Sequence, residues 1–413
     1  FFENIEQMII NFVLDFFDQT ALKNIMNQIN HKDQSITSTP DSHTISDPIQ
    51  TFRQTFYPET DLTDWNSWKW QLQNRIKDPH QLEKMFRLTP SERSAIPGHS
   101  KKLPVAITPY YAAVVTQSSE HVLRRTVIPT EEEFIIGPEE TNDPLIEEQY
   151  SPLPNIVHRY PNRVLFLATL NCAVYCRYCT RARLVGESDA AILTKQWKMA
   201  FEYIQSHTEI REVIISGGDP LFLDTSRLEE LVREIRKISH VDIVRIGTKI
   251  PITLPQRITD ELIEALKQYH PIIISLHAIH PDELTTEAKH AIDRFVDNGF
   301  IVGSQTVLLK GINDSLDIMK LLMEKLLSFR VRPYTLYHCD MIQGSGHFRT
   351  HLRKGIDLIE GLRELSSGYA IPHYIVDPPG GKVTLAPETI MSKDENGYVL
   401  KNWQRKKVLY PGS

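Results

Sequence analysis

From Arg163 onward the chain alternates short aliphatic runs with longer stretches whose apolar residues recur every three or four positions. The runs are VLFLATL, EVIIS, DIVRIG, IIISL, VGSQTVLL and YTLYH. They recur at roughly 30-residue intervals, the length of one strand-plus-helix unit. Helical patterns such as TSRLEELVREIRKI, TDELIEALKQY and LDIMKLLMEKLLS lie between them. Parallel strands with right-handed crossovers follow, and continuously apolar runs predict strands buried on both faces. About six units fall short of the eight of a closed (β/α)8 barrel. The pattern therefore predicts an α/β fold built on an open, partial (β/α)6 barrel, with a doubly wound flat sheet as the alternative.

The flanks read differently. Residues 1–27 have a helical pattern, and the Ser-, Thr-, Asp- and Pro-rich stretch after them reads as a linker, so 1–50 forms an N-terminal appendage. Residues 51–158 predict short amphipathic helices, with Trp65, Trp68 and Trp70 shared between core and rim. A Pro- and acid-rich segment follows that wraps the main domain with little strand. The barrel is expected over 159–345. Residues 346–413 add a further helix, the run HYIVD, a Pro-Gly turn and a basic tail.

Composition narrows the function. Apolar residues are 41% and charged residues 24% of 413, an ordinary globular balance. The formal charge of -6 lacks the basic excess that phosphate neutralisation needs, so nucleic acid is not the expected partner. Glu3, Glu6, Asp15 and Asp18 interrupt the apolar N-terminus, which predicts neither a membrane span nor a secretory signal. A soluble, cytoplasmic protein is expected.

Three of the four cysteines fall within eight residues, Cys172, Cys176 and Cys179, directly after the first predicted strand. Parallel α/β folds place their chemistry at that end of a strand. Three thiolates on one loop suit three irons of a cubane cluster, leaving the fourth iron open to a chelating ligand. Structural zinc wants four closed ligands, and no second CxxC or nearby His pair supplies them. Cys339 is remote in sequence and suits a strand-end core. SGGDPL, Ser216 to Leu221, marks a second strand end, where Gly217 and Gly218 permit close backbone approach and Asp219 follows.

The CxxxCxΦC spacing, with Tyr178 before the last cysteine, resembles the radical S-adenosylmethionine (SAM) superfamily. The resemblance sharpens to the lysine 2,3-aminomutase family through WNSWKWQLQNRI, HRYPNRVLFLATLNCAVYCRYCTRAR, SLHAIHPDE, SQTVLLKGIND, RPYTLYHCD, GHFRT and SGYAIPHYIVDPPGGK. It implies a [4Fe-4S] cluster on the three cysteines, SAM near Ser216–Asp219 and Gln305, and pyridoxal phosphate (PLP) on Lys382. Arg159, Tyr160 and Arg163 resemble residues near the PLP phosphate, which a forked guanidinium suits. His277 and Tyr337, at strand ends, would complete that pocket. Arg181 matches the clamp on the substrate α-carboxylate, and Asp340 and Asp377 match the carboxylates that hold the lysine ε-ammonium. Paired acids disfavour an acidic side chain, so lysine leads, with arginine or ornithine as alternatives.

The implied reaction starts with SAM cleavage at the reduced cluster, which requires an electron-donor protein. A 5′-deoxyadenosyl radical then removes hydrogen from C3 of the PLP-bound amino acid, and nitrogen moves from C2 to C3. Two departures stand out. The family often has a longer glycine run before its PLP lysine, whereas PPGGK has only Gly380 and Gly381. Ser315 replaces a zinc-ligating cysteine and the C-terminal tail has none, so no structural zinc is expected and any homo-oligomer must rely on packing. A radical SAM enzyme of another reaction class without PLP, and a non-catalytic iron-sulfur or lysine-binding module, remain the alternative readings.

Overall fold

The computed structural model describes residues 46–99, 103–186, 196–379, 381–388, 390–394, 397–402 and 405–410. The expected N-terminal helix and most of its linker lie outside the described residues. By internal contacts the chain divides into Phe1–Thr44 and Ile45–Ser413, and the sheet and its cavity belong to the second unit.

The β-branched runs become strands of one sheet: β1 Ile156–Tyr160, β2 Arg163–Thr169, β3 Glu212–Gly217, β4 Ile243–Thr248, β5 Ile272–His277, β6 Ile301–Leu308, β7 Arg332–His338, β8 His373–Val376 and β9 Val383–Leu385. Their spatial order is the sequence order, which identifies a barrel-like progression and excludes the doubly wound alternative, where the order reverses. Strands β2 through β8 are parallel, while β1 and β9 pair antiparallel at the two edges. The expected six-strand set, β2 to β7, is thus extended by HYIVD as a seventh parallel strand. A separate antiparallel sheet joins Ile390–Asp394, Gly397–Lys401 and Lys407–Tyr410.

Crossover helices form on apolar stripes, some of them with a side-chain cap at the start. Thr225–Arg236 buries Leu228, Leu231, Val232 and Ile235. In Thr286–Asp297 the cap Thr285 accepts from the Ala288 N–H, and in Leu316–Ser328 the cap Ser315 accepts from Ile318. The expectation of strands buried on both faces needs correction. In β3 and β4 buried positions alternate with half-buried ones. The helix-facing set, Val213, Ile215, Val244 and Ile246, is buried. The other set, including Ile214, Ser216, Arg245 and Gly247, lines a cavity.

The N-terminal segment packs around this frame. Trp65 is fully buried while Trp68 and Trp70 pack partly exposed against the core. Ser119–Thr126, Glu131–Phe134 and Glu147–Tyr150 form short 3-10 helices joined by irregular segments. A bridge between Thr141 and Ile342 ties this wrap to the segment following β7.

Candidate active site

Inner faces of β2 to β7 converge on one cavity of about 300 Å³. Its wall contains Cys172, Cys176, Cys179, Arg181, Ser216, Gly217, Gly218, Asp219, His277, Gln305, Tyr337, Asp340, Asp377 and Lys382. Residues more than 200 positions apart in sequence thus meet in the mouth of the open barrel, at the C-terminal strand ends where the chemistry of such folds lies.

The cysteine loop leaves β2 and is pinned from several sides. Arg75 Nη1 donates to the Cys172 carbonyl at 2.8 Å, and the Arg177 N–H donates to the Thr126 carbonyl at 2.8 Å. The Arg177 guanidinium is buried against Glu133, Nη2 to Oε2 at 2.6 Å. Gly217 has φ +119, and a methyl group there would collide with the Thr169 carbonyl oxygen; at Gly218 it would collide with that of Asn171. The two glycines therefore let β3 dock backbone to backbone against the root of the cysteine loop. Asp219 is committed to the same job. Its Oδ1 accepts from the Thr248 hydroxyl at 2.7 Å and its Oδ2 from the Lys249 N–H at 2.7 Å, with Leu221 and Ile250 N–H groups completing the set.

Burial pushes the Cys179 thiol up to about 11 and raises Cys172 and Cys176 as well. Thiols in that state become thiolates when a cation is bound to them. Among the described residues no three His, Cys, Asp or Glu groups converge on a single ion position. Cys172, Cys176 and Cys179 share one stretch of the cavity wall, and in a polynuclear cluster each thiolate binds its own iron. The donor set fits a [4Fe-4S] cluster. Cys339 is buried outside the cavity wall, where sequence reading placed it.

At the opposite wall Lys382 Nζ donates to the Tyr337 hydroxyl at 2.9 Å, and the Lys382 N–H donates to the Tyr160 hydroxyl at 3.1 Å. Desolvation lowers the Lys382 ammonium pKa, but Tyr337, Asp377 and Tyr160 outweigh it and the net direction is upward. The short turn leaves the lysine able to reach the cavity. Arg159 Nη1 pairs with Asp377 Oδ1 at 2.8 Å, and its Nη2 donates to the Pro378 and Pro379 carbonyls. Arg163 stacks on the Tyr160 ring, 4.2 Å from its centroid. Arg159, Tyr160 and Arg163 are thus gathered at the Lys382 turn but outside the cavity wall, with the Arg159 fork already occupied. A lysine in the wall, flanked by a phenol and backed by guanidinium groups, is a donor set that PLP fits.

Burial raises the Asp340 carboxyl to about 6, opposed by the Thr180 hydroxyl, which donates to its Oδ2 at 2.8 Å. Among the described residues Asp340 has no ion-pair partner. Burial, with Lys249 and Arg181 adding to it, lowers His277 to about 4, so its imidazole is neutral. Arg181 holds Glu147 through Nε and Nη2.

Sequence reading missed three groups here. Glu147 holds Arg181. Lys249 lies in the cavity wall and pairs with the fully buried Glu283, which also accepts from the Tyr111 hydroxyl. Arg177 anchors the cysteine loop. Glu283 lies inside SLHAIHPDE and Arg177 inside the cysteine-bearing motif, whereas Glu147 and Lys249 belong to no motif that carried a signal.

The parallel frame and the cysteine loop define a radical SAM enzyme, and residues 167–322 match the model of the Radical SAM superfamily. Residues 359–412 match a lysine-2,3-aminomutase model. The chain is 42% identical over 352 residues to the L-lysine 2,3-aminomutase of Acetoanaerobium sticklandii, covering 84% of this chain and 85% of the relative. It is 43% identical to the L-lysine 2,3-aminomutase of Fusobacterium nucleatum, covering 85% and 84%. Glutamate 2,3-aminomutase of Clostridioides difficile is 39% identical, covering 84% and 82%. The chain belongs to the lysine 2,3-aminomutase family. It is an isomerase of the radical SAM aminomutase type, which uses a [4Fe-4S] cluster, SAM and PLP. No helix among the described residues is long and apolar enough to cross a membrane.

Proposed function

We propose that the chain moves the α-amino group of L-lysine to C3, giving β-lysine. The observation that carries this choice is Asp340, a buried carboxylate in the cavity wall beside Asp377 that makes no direct ion pair among the described residues, with the Lys382 and Arg181 charges acting on it only from a distance. A buried anion without a contacting counter-ion favours a ligand that brings a cation into contact and disfavours one that brings a second carboxylate. Glutamate is therefore the poorer substrate, although a glutamate-acting relative exists.

In this reading Cys172, Cys176 and Cys179 hold the cluster, Ser216, Gly217, Gly218 and Gln305 line the SAM side, and His277 completes the PLP pocket with Tyr337. Lys382 carries PLP, with Tyr337 at its amine and Arg159, Tyr160 and Arg163 on the phosphate side. Asp219 acts there by fixing the Thr248–Ile250 turn. The cofactors supply radical generation and stabilisation of the migrating nitrogen. The chain's own work is to orient the amino acid between Arg181 and Asp340 and to exclude water. SAM cleavage takes one electron, so a reducing partner protein belongs to the reading, as do a cytoplasmic setting and a homo-oligomer formed by packing.

The test is anaerobic reconstitution with iron, sulfide and PLP, followed by assay of lysine, arginine, ornithine and glutamate with SAM and a reductant. β-Lysine from the wild type and none from Lys382→Ala is expected. Borohydride should trap PLP on the wild type and not on the variant. Iron absorbance without lysine-bound PLP would move the chain to another radical SAM reaction.

A further inference from the structure

The guanidinium of Arg181 is already engaged on one edge. Nε donates to both oxygens of Glu147, at 3.1 and 3.0 Å, and Nη2 donates to Oε1 at 2.6 Å. Nη1 has no partner among the described residues, and Arg181 lies in the cavity wall. Glu147 itself is only 7% exposed at its side chain, so it is not a solvated counter-charge that happens to be near.

Its position is over-determined. Ile146, the residue before it, adopts φ 53 and ψ 39, a left-handed conformation that a β-branched residue takes only when its surroundings impose it. Asp143 accepts from the Glu147 and Glu148 N–H groups, both at 3.0 Å. Arg183, two residues beyond Arg181, pairs with Asp143 at 3.2 Å. Leu145, from the same turn, reaches the cavity wall. The wrap segment thus braces the arm that leaves the last cysteine, and the centre of the brace is the Glu147 to Arg181 contact.

We propose that Glu147 is a positioning residue that locks the Nε edge of Arg181 and turns its free edge into the cavity as the seat of the amino-acid α-carboxylate. The proposal rests on the functional reading above and names how that site is set. A guanidinium held on one edge by a carboxylate keeps its remaining N–H groups in a fixed plane, so a second carboxylate meets them without the cost of ordering a free side chain.

The experiment measures equilibrium binding of L-lysine and of 1,5-diaminopentane, which lacks the carboxylate, to reconstituted wild-type, Glu147→Gln and Glu147→Asp proteins. Turnover is recorded alongside. Glu147→Gln should weaken lysine by roughly ten- to a hundredfold, the worth of a hydrogen bond to a charged group. The diamine should bind within about twofold of wild type on the same argument. KM should rise more than kcat falls, and Glu147→Asp should recover part of the loss. If Glu147→Gln does not fold, Glu147→Asp carries the test, because it withdraws the carboxylate by one methylene and should weaken lysine selectively. Equal weakening of lysine and diamine, or none of lysine, overturns the proposal. Selective weakening of lysine in a protein that makes no β-amino acid keeps the positioning role and overturns the aminomutase reading instead.

Discussion

Asp340 is the residue where burial and function conflict most directly. Its carboxyl is raised from 3.8 to about 6, so the protonated form is favoured in the folded protein. The stability this gives is fully present below about 4 and is lost as pH rises through about 6. At neutral pH the site is ionised and strained, which is the state a cationic side chain would relieve. Asp340→Asn should therefore melt higher than wild type at pH 7 while raising KM for lysine by roughly tenfold or more. In the wild type that KM should climb as pH falls through about 6. A KM that stays flat between pH 5 and 7 would remove Asp340 as the cation site. Most of the residues that line the cavity were legible because the motifs name them, but their states were not. Nothing in RPYTLYHCD indicates that Asp340 has only Thr180 as a donor, and nothing in DPPG indicates that Asp377 is paired with Arg159. Those facts depend on partners more than 150 residues away.

Elements meet in this fold through glycines whose reasons become visible only in three dimensions. SGGDP reads as a strand-end turn, and the structure adds that both glycines are needed because β3 abuts the cysteine loop. Gly218→Ala should displace the loop, lowering bound iron per chain after reconstitution and lowering the melting temperature by the cost of overpacking, about 1–3 kcal/mol. Full iron content in that variant would show that the loop can retreat. A second contact of this kind joins the helix Leu352–Leu365 to β8, where a methyl on Gly355 would run into the buried ring of Tyr374. The Tyr374 hydroxyl hydrogen-bonds to His338 Nδ1 at 2.8 Å, so the ring is not free to swing away. Gly355→Ala should cost about 1–3 kcal/mol, the usual penalty for overpacking, as read from denaturant unfolding. Iron binding should be retained, since Gly355 is far from the cysteines in sequence and packs on the β8 side. Strand positions were legible from their period and β-branched content. The seventh parallel strand was less so, because HYIVD is short and follows a helix like a terminal afterthought.

At the scale of the whole molecule, an open sheet must bring its two edges into one working site. The cysteines hang from β2, near one edge, while Lys382 lies between β8 and β9, at the other. Arg159 on β1 spans them by pairing with Asp377 and donating to the Pro378 and Pro379 carbonyls, and Tyr160 receives the Lys382 N–H. This clasp positions the lysine turn against the opposite edge without closing the barrel by strand pairing. It also makes the two cofactor regions separable by mutation. Cys172→Ala should lose iron absorbance yet still allow borohydride trapping of PLP, and Lys382→Ala should do the reverse. Arg159→Gln removes the ion pair and one donor to the turn while leaving every cysteine contact intact, so it should lower PLP occupancy and preserve the cluster spectrum. If Arg159→Gln instead lost both signals together, the two edges would be coupled through the fold itself, and the clasp would be a condition of folding rather than a means of placing Lys382.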